Sequence, residues 1–137
     1  MSVQTYLQFE GQCEEAIRFY TRAIGAEVQM MMRHRESPEP APPGMLPPGS
    51  GEKIMHAAIK IGDTILLATD GRCSGKPAFQ GFSLNISAAD EAEARGVYAR
   101  LSDGGNVTMP LTKTFWSPAF GMLVDRFGVP WMVMVPA

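Results

Sequence analysis

The same pattern of segments is written twice in this chain, and that duplication limits the possible folds more than any single residue does. Ile24-Gly25-Ala26-Glu27-Val28 closes one amphipathic stretch, and Asp103-Gly104-Gly105-Asn106-Val107 closes another, 79 positions later (104 minus 25). Gly62 and Gly128 also correspond, at a spacing of 66 (128 minus 62). The shortfall, 79 minus 66 or 13, is about the length of a Pro-rich run from Ser37 to Gly49 found only in the first half. The repeat therefore implies two strand-helix-strand-strand-strand copies. We expect an α+β fold of two βαβββ modules whose curved mixed sheets surround a shared cleft. Residues 1–137 read as a single domain, with the first module at 1–70, its insertion at 37–49 and the second module at 78–137.

The local signals are consistent with this plan. Ala16, Phe19, Tyr20 and Ala23 recur at helical spacing, which predicts a helix over Cys13–Ile24. Glu14 and Glu15 favour its positive end, and Gly25 supplies a stop. Ser87-Ala88-Ala89-Asp90 resembles a capping box opening the second helix, with Ala94, Val97 and Leu101 as its buried stripe. Strands are expected at Val3–Phe9, Ala26–Arg35, Ile54–Ile61, Thr64–Thr69, Phe82–Ser87, Asn106–Leu111, Ala119–Val124 and Trp131–Val135. Gly62-Asp63 reads as a tight hairpin turn. Six prolines between Pro38 and Pro48 exclude helix or central strand there.

Composition excludes several function classes. The chain has 12 Lys and Arg, scattered along its length, and a formal net charge of -2. That gives no electrostatic footprint for a nucleic acid. No apolar run approaches the ~20 residues of a membrane span, and the first residues lack a signal-peptide pattern. Two cysteines, Cys13 and Cys73, are too few for a disulfide scaffold, so free thiols and a cytoplasmic location are expected. No Gly-x-Gly-x-x-Gly opens a helix and no Gly-x-Ser-x-Gly is present. Gly71-Arg72-Cys73-Ser74-Gly75-Lys76-Pro77 fails as a phosphate loop, because it ends in Lys-Pro and opens no helix.

Strands send alternate residues to opposite faces. Leu7 and Phe9 are expected against the helices, leaving Gln4, Tyr6 and Gln8 on the other side, matched by Ser83, Asn85 and Ser87. For the last strand of each half, Ile65 and Leu67 are placed with Trp131 and Val133 on the helix side. Leu66 and Ala68 are placed with Met132 and Met134 on the open side. Ten methionines suit an adaptable lining as well as ordinary core filling. Phe115 and Trp116 fall in a loop and read equally as a lid over an aromatic or apolar ligand or as packing against a dimer partner or the Pro-rich loop. His56 reads either as a general base or as a hydrogen-bonded structural residue, while His34, between two arginines, reads as solvent-facing.

Several of these stretches resemble the vicinal-oxygen-chelate superfamily of glyoxalases, bleomycin-resistance proteins and dioxygenases, and within it the PhnB-like branch. They are Tyr6-Leu7-Gln8-Phe9-Glu10-Gly11, Cys13-Glu14-Glu15-Ala16-Ile17-Arg18-Phe19-Tyr20 and Ile54-Met55-His56-Ala57, with Gly62-Asp63 and Thr69-Asp70. Phe115-Trp116 and Asp125-Arg126-Phe127-Gly128-Val129-Pro130-Trp131 complete the set. Relatives with this pattern are sometimes named 3-demethylubiquinone-9 3-methyltransferases. The resemblance implies homodimers, often with modules exchanged between chains. It also implies metal-ligand positions, one on the first and one on the last strand of each half, which carry over to Gln4, Leu66, Ser83 and Met132. Only Gln4 among them is a plausible ligand, so no metal and no cofactor is expected. S-adenosylmethionine is not expected to bind. The expected function is metal-independent binding of a small organic molecule by Gln4, Tyr6, Gln8, Leu66, Ser83, Asn85, Phe115, Trp116, Met132 and Met134. The alternative is a lyase or isomerase with His56 as general base.

Overall fold

The computed structural model describes residues 1–137 and separates into two units, Met1–Pro77 and Ala78–Ala137. In the first, a short strand β1 (Tyr6–Gln8) turns through Glu10 and Gly11 into helix α1 (Cys13–Ile24). Strands β2 (Glu27–Arg33), β3 (Ile54–Ile61) and β4 (Thr64–Thr69) follow. They form one sheet in the order β1-β4-β3-β2, with β1 parallel to β4 and the other pairs antiparallel. The second unit repeats the plan with β5 (Leu84–Ser87), α2 (Glu91–Ser102), β6 (Asn106–Thr112), β7 (Phe120–Val124) and β8 (Pro130–Met134). Its sheet runs β5-β8-β7-β6, again with one parallel pair. Two helices and two open four-stranded mixed sheets, one per module, make this an α+β fold of the expected class.

Helix α1 forms because its buried residues, Ala16, Ile17, Phe19, Tyr20 and Ala23, share one stripe. It ends at Gly25, whose φ of 69° is the left-handed cap that a residue without Cβ adopts at least cost. The stripe belongs to a core with Leu7, Phe9, Ile59, Leu66 and Ala68, each burial stabilising by roughly 1.5–3 kcal/mol for the larger side chains. In α2 the equivalent stripe is Ala94, Val97 and Leu101.

A buried carboxylate ties each unit together. Asp70 accepts from the backbone N–H groups of Gly11 (3.0 Å), Cys13 (2.8 Å) and Ile54 (2.6 Å), joining the end of β4 to the start of α1 and of β3. Asp125 accepts from the N–H groups of Phe127 and Val129 and from Trp131 Nε1. Outside, Arg33 on β2 grips Glu14 on α1 through both guanidinium nitrogens, at 3.1 and 2.7 Å.

Three local expectations are corrected. The strands at Val3–Phe9 and Phe82–Ser87 are shorter, at Tyr6–Gln8 and Leu84–Ser87, although the Thr5 carbonyl still accepts from Leu67 N–H and the Phe9 N–H still donates to the Thr69 carbonyl. The cap of α2 is Asp90, whose side chain accepts from the Glu93 N–H at 2.8 Å, while Ser87 still pairs with Met134 in the sheet. Leu66 and Ala68 are buried on the helix side, and Ile65 and Leu67 lie on the open side, the reverse of the expectation. The ladders show why. Tyr6 pairs with Leu67 and Asn85 pairs with Met132, so the last strands correspond at 132 minus 67, or 65, and not at 66. The turn between β3 and β4 has two residues and that between β7 and β8 has five, so Gly62 and Gly128 are not equivalent.

Candidate functional site

The open face of the first sheet carries one polar pair among apolar residues. Tyr6 projects from β1 and His56 from β3, on either side of β4. The Tyr6 hydroxyl lies 2.7 Å from His56 Nδ1, and the rings meet edge to face at 5.5 Å between centroids. Leu67 pairs with Tyr6 and with Ala58, and Met32 pairs with His56, so these side chains share the face. Burial is the chief cause that pushes the Tyr6 phenol above its ordinary value. It therefore keeps its proton at neutral pH. With Nδ1 unprotonated, the phenol donates and the ring proton sits on Nε2. In the other tautomer Nδ1–H donates to the phenol oxygen and Nε2 carries a lone pair.

Gln8 is two residues further along β1 on the same face, exposed, and it also borders a cavity of about 370 Å³. Glu10, Met55, Thr69, Gly71 and Arg72 also line that cavity. Met45, from the Pro-rich segment, and His34, from a short 3-10 turn after β2, complete its lining. The ladder makes room for Met55: Met32 pairs with His56 and Arg33 with Ile54, so Met55 is the extra residue of a bulge. Thr69 is satisfied, donating to the Met55 carbonyl at 2.7 Å and accepting from Gly71 N–H at 3.1 Å. This cavity was not legible in the order of residues, because its wall comes from five separated segments.

The remaining expected residues are placed as follows. Gln4 precedes β1, is exposed, and donates to the Ile65 carbonyl at 3.3 Å. Leu66 is core. In the second unit, Asn85, Met132 and Met122 form a row on the open face, with Met134 beside Phe120 and Ser83 just ahead of β5. Phe115 is almost fully exposed and meets Trp116 edge to face at 4.8 Å, and Trp116 meets Phe120 at 5.6 Å. His34 is half-buried and not solvent-facing as expected, and its Nε2 is sheltered without a hydrogen-bond partner.

A divalent ion does not suit the residues present. The ladders make Leu67, in place of Leu66, the counterpart of Met132 in its own sheet, and Leu67 is no better a donor. No three His, Cys, Asp or Glu side chains converge anywhere in the chain. Cys13 is fully buried, and burial followed by Asp70 raises its thiol far above the usual range, so it is no nucleophile. No helix is long and apolar enough to cross a membrane.

Residues 1–134 match the family model described as 3-demethylubiquinone-9 3-methyltransferase. The chain is 34% identical to Protein YjdN of Escherichia coli K12, over 98% of this chain and 95% of that protein. Among solved structures it is similar to protein PA1353 from Pseudomonas aeruginosa, at 36% identity, 99% and 98% coverage and a TM-score of 0.85. A second is a putative 3-demethylubiquinone-9 3-methyltransferase, PhnB protein, from Bacillus cereus, at 27% identity, 98% and 99% coverage and a TM-score of 0.81. The fold alone is shared with a glyoxylase/bleomycin resistance protein/dioxygenase domain from Frankia, at 15% identity, 98% and 94% coverage and a TM-score of 0.65.

Proposed function

The chain belongs to the PhnB-like, 3-demethylubiquinone-9 3-methyltransferase family within the glyoxalase and bleomycin-resistance fold, and on that premise we propose that it binds a small organic molecule, without a metal ion, on the open face of its first sheet. The observation that carries this reading is the Tyr6–His56 pair, a polar anchor set among Leu67, Ala58 and Met32. A mostly apolar surface with few placed polar groups is the usual make-up of a small-molecule site. Gln8 extends the polar edge. In the second unit, Asn85, Met132 and Met134, with the Trp116–Phe120 contact, offer an apolar surface of the same kind, suited to an aromatic compound.

The methyltransferase description is a family label, and the topology favours a different chemistry. Each sheet has a single parallel pair, and Phe9-Glu10-Gly11-Gln12 between β1 and α1 is not the glycine-rich turn of a doubly wound nucleotide site. The metal-free part of the reading is supported by the donor set, since no three His, Cys, Asp or Glu side chains converge to offset dehydration of a divalent ion.

A ligand library rich in aromatic and heteroaromatic compounds, screened by thermal shift, tests the proposal. A true ligand raises the melting temperature with concentration, and Tyr6→Phe and His56→Ala lower its affinity. Equal affinity in both variants would place the site elsewhere. Elemental analysis of untagged protein giving about one equivalent of zinc, nickel, iron or manganese would overturn the metal-free reading.

His56 as a general base for a lyase or isomerase is a second reading, favoured by the Tyr6 contact, which in one tautomer fixes the lone pair on Nε2. Turnover lost in His56→Gln with binding retained would select it.

The edge strands β2 and β6 leave backbone groups unpaired within their sheets, which suits a homodimer. The segment from Asp70 to Pro77 is long enough to permit, but does not require, exchange of modules. A single sedimenting species at the chain mass of 14.9 kDa would refute the dimer.

A further inference from the structure

We propose that the cavity beside Gln8 is a second binding site, for a zwitterionic amino acid with an apolar side chain. The cavity has a size suited to a small organic ligand, about 370 Å³. Its two soft apolar walls are Met45 and Met55. Around them stand polar groups whose hydrogen-bonding capacity the protein itself leaves unused. The Arg72 guanidinium makes no ion pair or hydrogen bond, although the Arg72 backbone N–H is bound by Glu10 Oε2 at 3.1 Å. His34 Nε2 is buried with no partner, a state that native proteins rarely leave without a water or ligand to satisfy it. The Gln8 carboxamide is also without a partner. The guanidinium and the Gln8 amide are donors for an acceptor, His34 Nε2 joins them in the tautomer that protonates it, and the guanidinium selects a carboxylate.

Glu10 supplies the opposite charge. One of its oxygens is held by the Arg72 N–H, which leaves Oε1 as an acceptor. Its backbone φ of 53° is a left-handed conformation that a residue with a Cβ adopts only at a cost, and such outliers cluster at binding sites. A simple anion would meet this carboxylate unfavourably, and a simple cation would meet Arg72. A molecule carrying an ammonium and a carboxylate, with an apolar body against the two methionines, satisfies both. Gln8 borders both sites, but neither Tyr6 nor His56 lines the cavity, so the two proposals are read out by different residues.

Methyl-13C-methionine protein gives a local readout, with Met45 and Met55 assigned by their leucine variants. Titration with L-phenylalanine is expected to shift both methyl resonances saturably, and to leave Met32, beside His56 on the sheet face, unmoved. Phenylalaninamide, which lacks the carboxylate, and 3-phenylpropanoate, which lacks the ammonium, should each bind roughly tenfold more weakly. Arg72→Gln should weaken L-phenylalanine by a similar factor, and Glu10→Gln should weaken it without weakening 3-phenylpropanoate. Retention of the dispersed methyl spectrum shows that each variant is folded. Absence of a saturable shift at Met45 and Met55, shifts confined to Met32, equal binding of the three compounds, or no effect of Arg72→Gln would each overturn the proposal.

Discussion

The carboxylate of Glu10 occupies the space that any side chain at position 71 would need. A Cβ built on Gly71 would collide with Glu10 Oε2, and Gly71 has φ of 58°, in the left-handed region. The backbone conformation disfavours other residues there, and any side chain would have to displace the Glu10 carboxylate. Gly71→Ala is expected to destabilise the protein by about 1–3 kcal/mol and to displace Glu10 from the cavity wall. Urea denaturation measures the first effect. A stability change indistinguishable from zero would show that the Glu10 side chain moves aside freely.

Asp70 accepts three backbone N–H bonds at once and is almost wholly buried. Asp70→Ala should cost on the order of 3 kcal/mol or more, because three backbone donors, two of them buried, lose a charged acceptor together. Asp63→Ala, in the exposed hairpin turn, should stay within about 0.5 kcal/mol. Similar losses in the two variants would remove Asp70 from its role.

The hydrogen bond from Arg33, followed by opposing burial and then Arg33's charge, sets the Glu14 carboxyl below its ordinary range. A carboxyl depressed in the folded state contributes stability that is complete above its unfolded value and is lost as pH falls through the folded value. Glu14→Gln should therefore be less stable at neutral pH and should lose less on acidification below the usual carboxylate range. Parallel acid-denaturation profiles for the two proteins would contradict this. The pair is partly exposed, so the effect is small and shrinks with salt.

Both thiols are raised above their ordinary range chiefly by burial, but only Cys13 is wholly enclosed. A thiol reagent should modify Cys73 slowly in the native protein and reach Cys13 only after unfolding. Two equally fast reactions under native conditions would show that α1 opens readily at its first turn.

Much of this architecture could be read from residue order. The spans of α1, β3 and β4 follow from periodicity and from the Gly25 and Gly62 breaks, since these signals are local. Tyr6, Gln8 and His56 were legible as candidates because polar residues interrupted an apolar strand pattern. Their contact was not, since 50 residues separate Tyr6 from His56. The cavity was invisible for the same reason. Glu10, His34, Met45 and Arg72 have no common spacing, and His34 reads as a surface residue until the chain folds back over it.

By itself, the sequence determined the duplicated βαβββ plan, the buried stripes of α1 and α2, and the Pro-rich interruption, because each is a pattern of neighbouring residues. Only the tertiary structure decided which face of β4 is open. Side chains alternate along a strand, so the one-residue difference between a spacing of 66 and the laddered 65 exchanges Leu66 with Leu67 across the sheet. The length of a turn sets that difference, and parallel pairing between β1 and β4 is the long-range contact that reveals it.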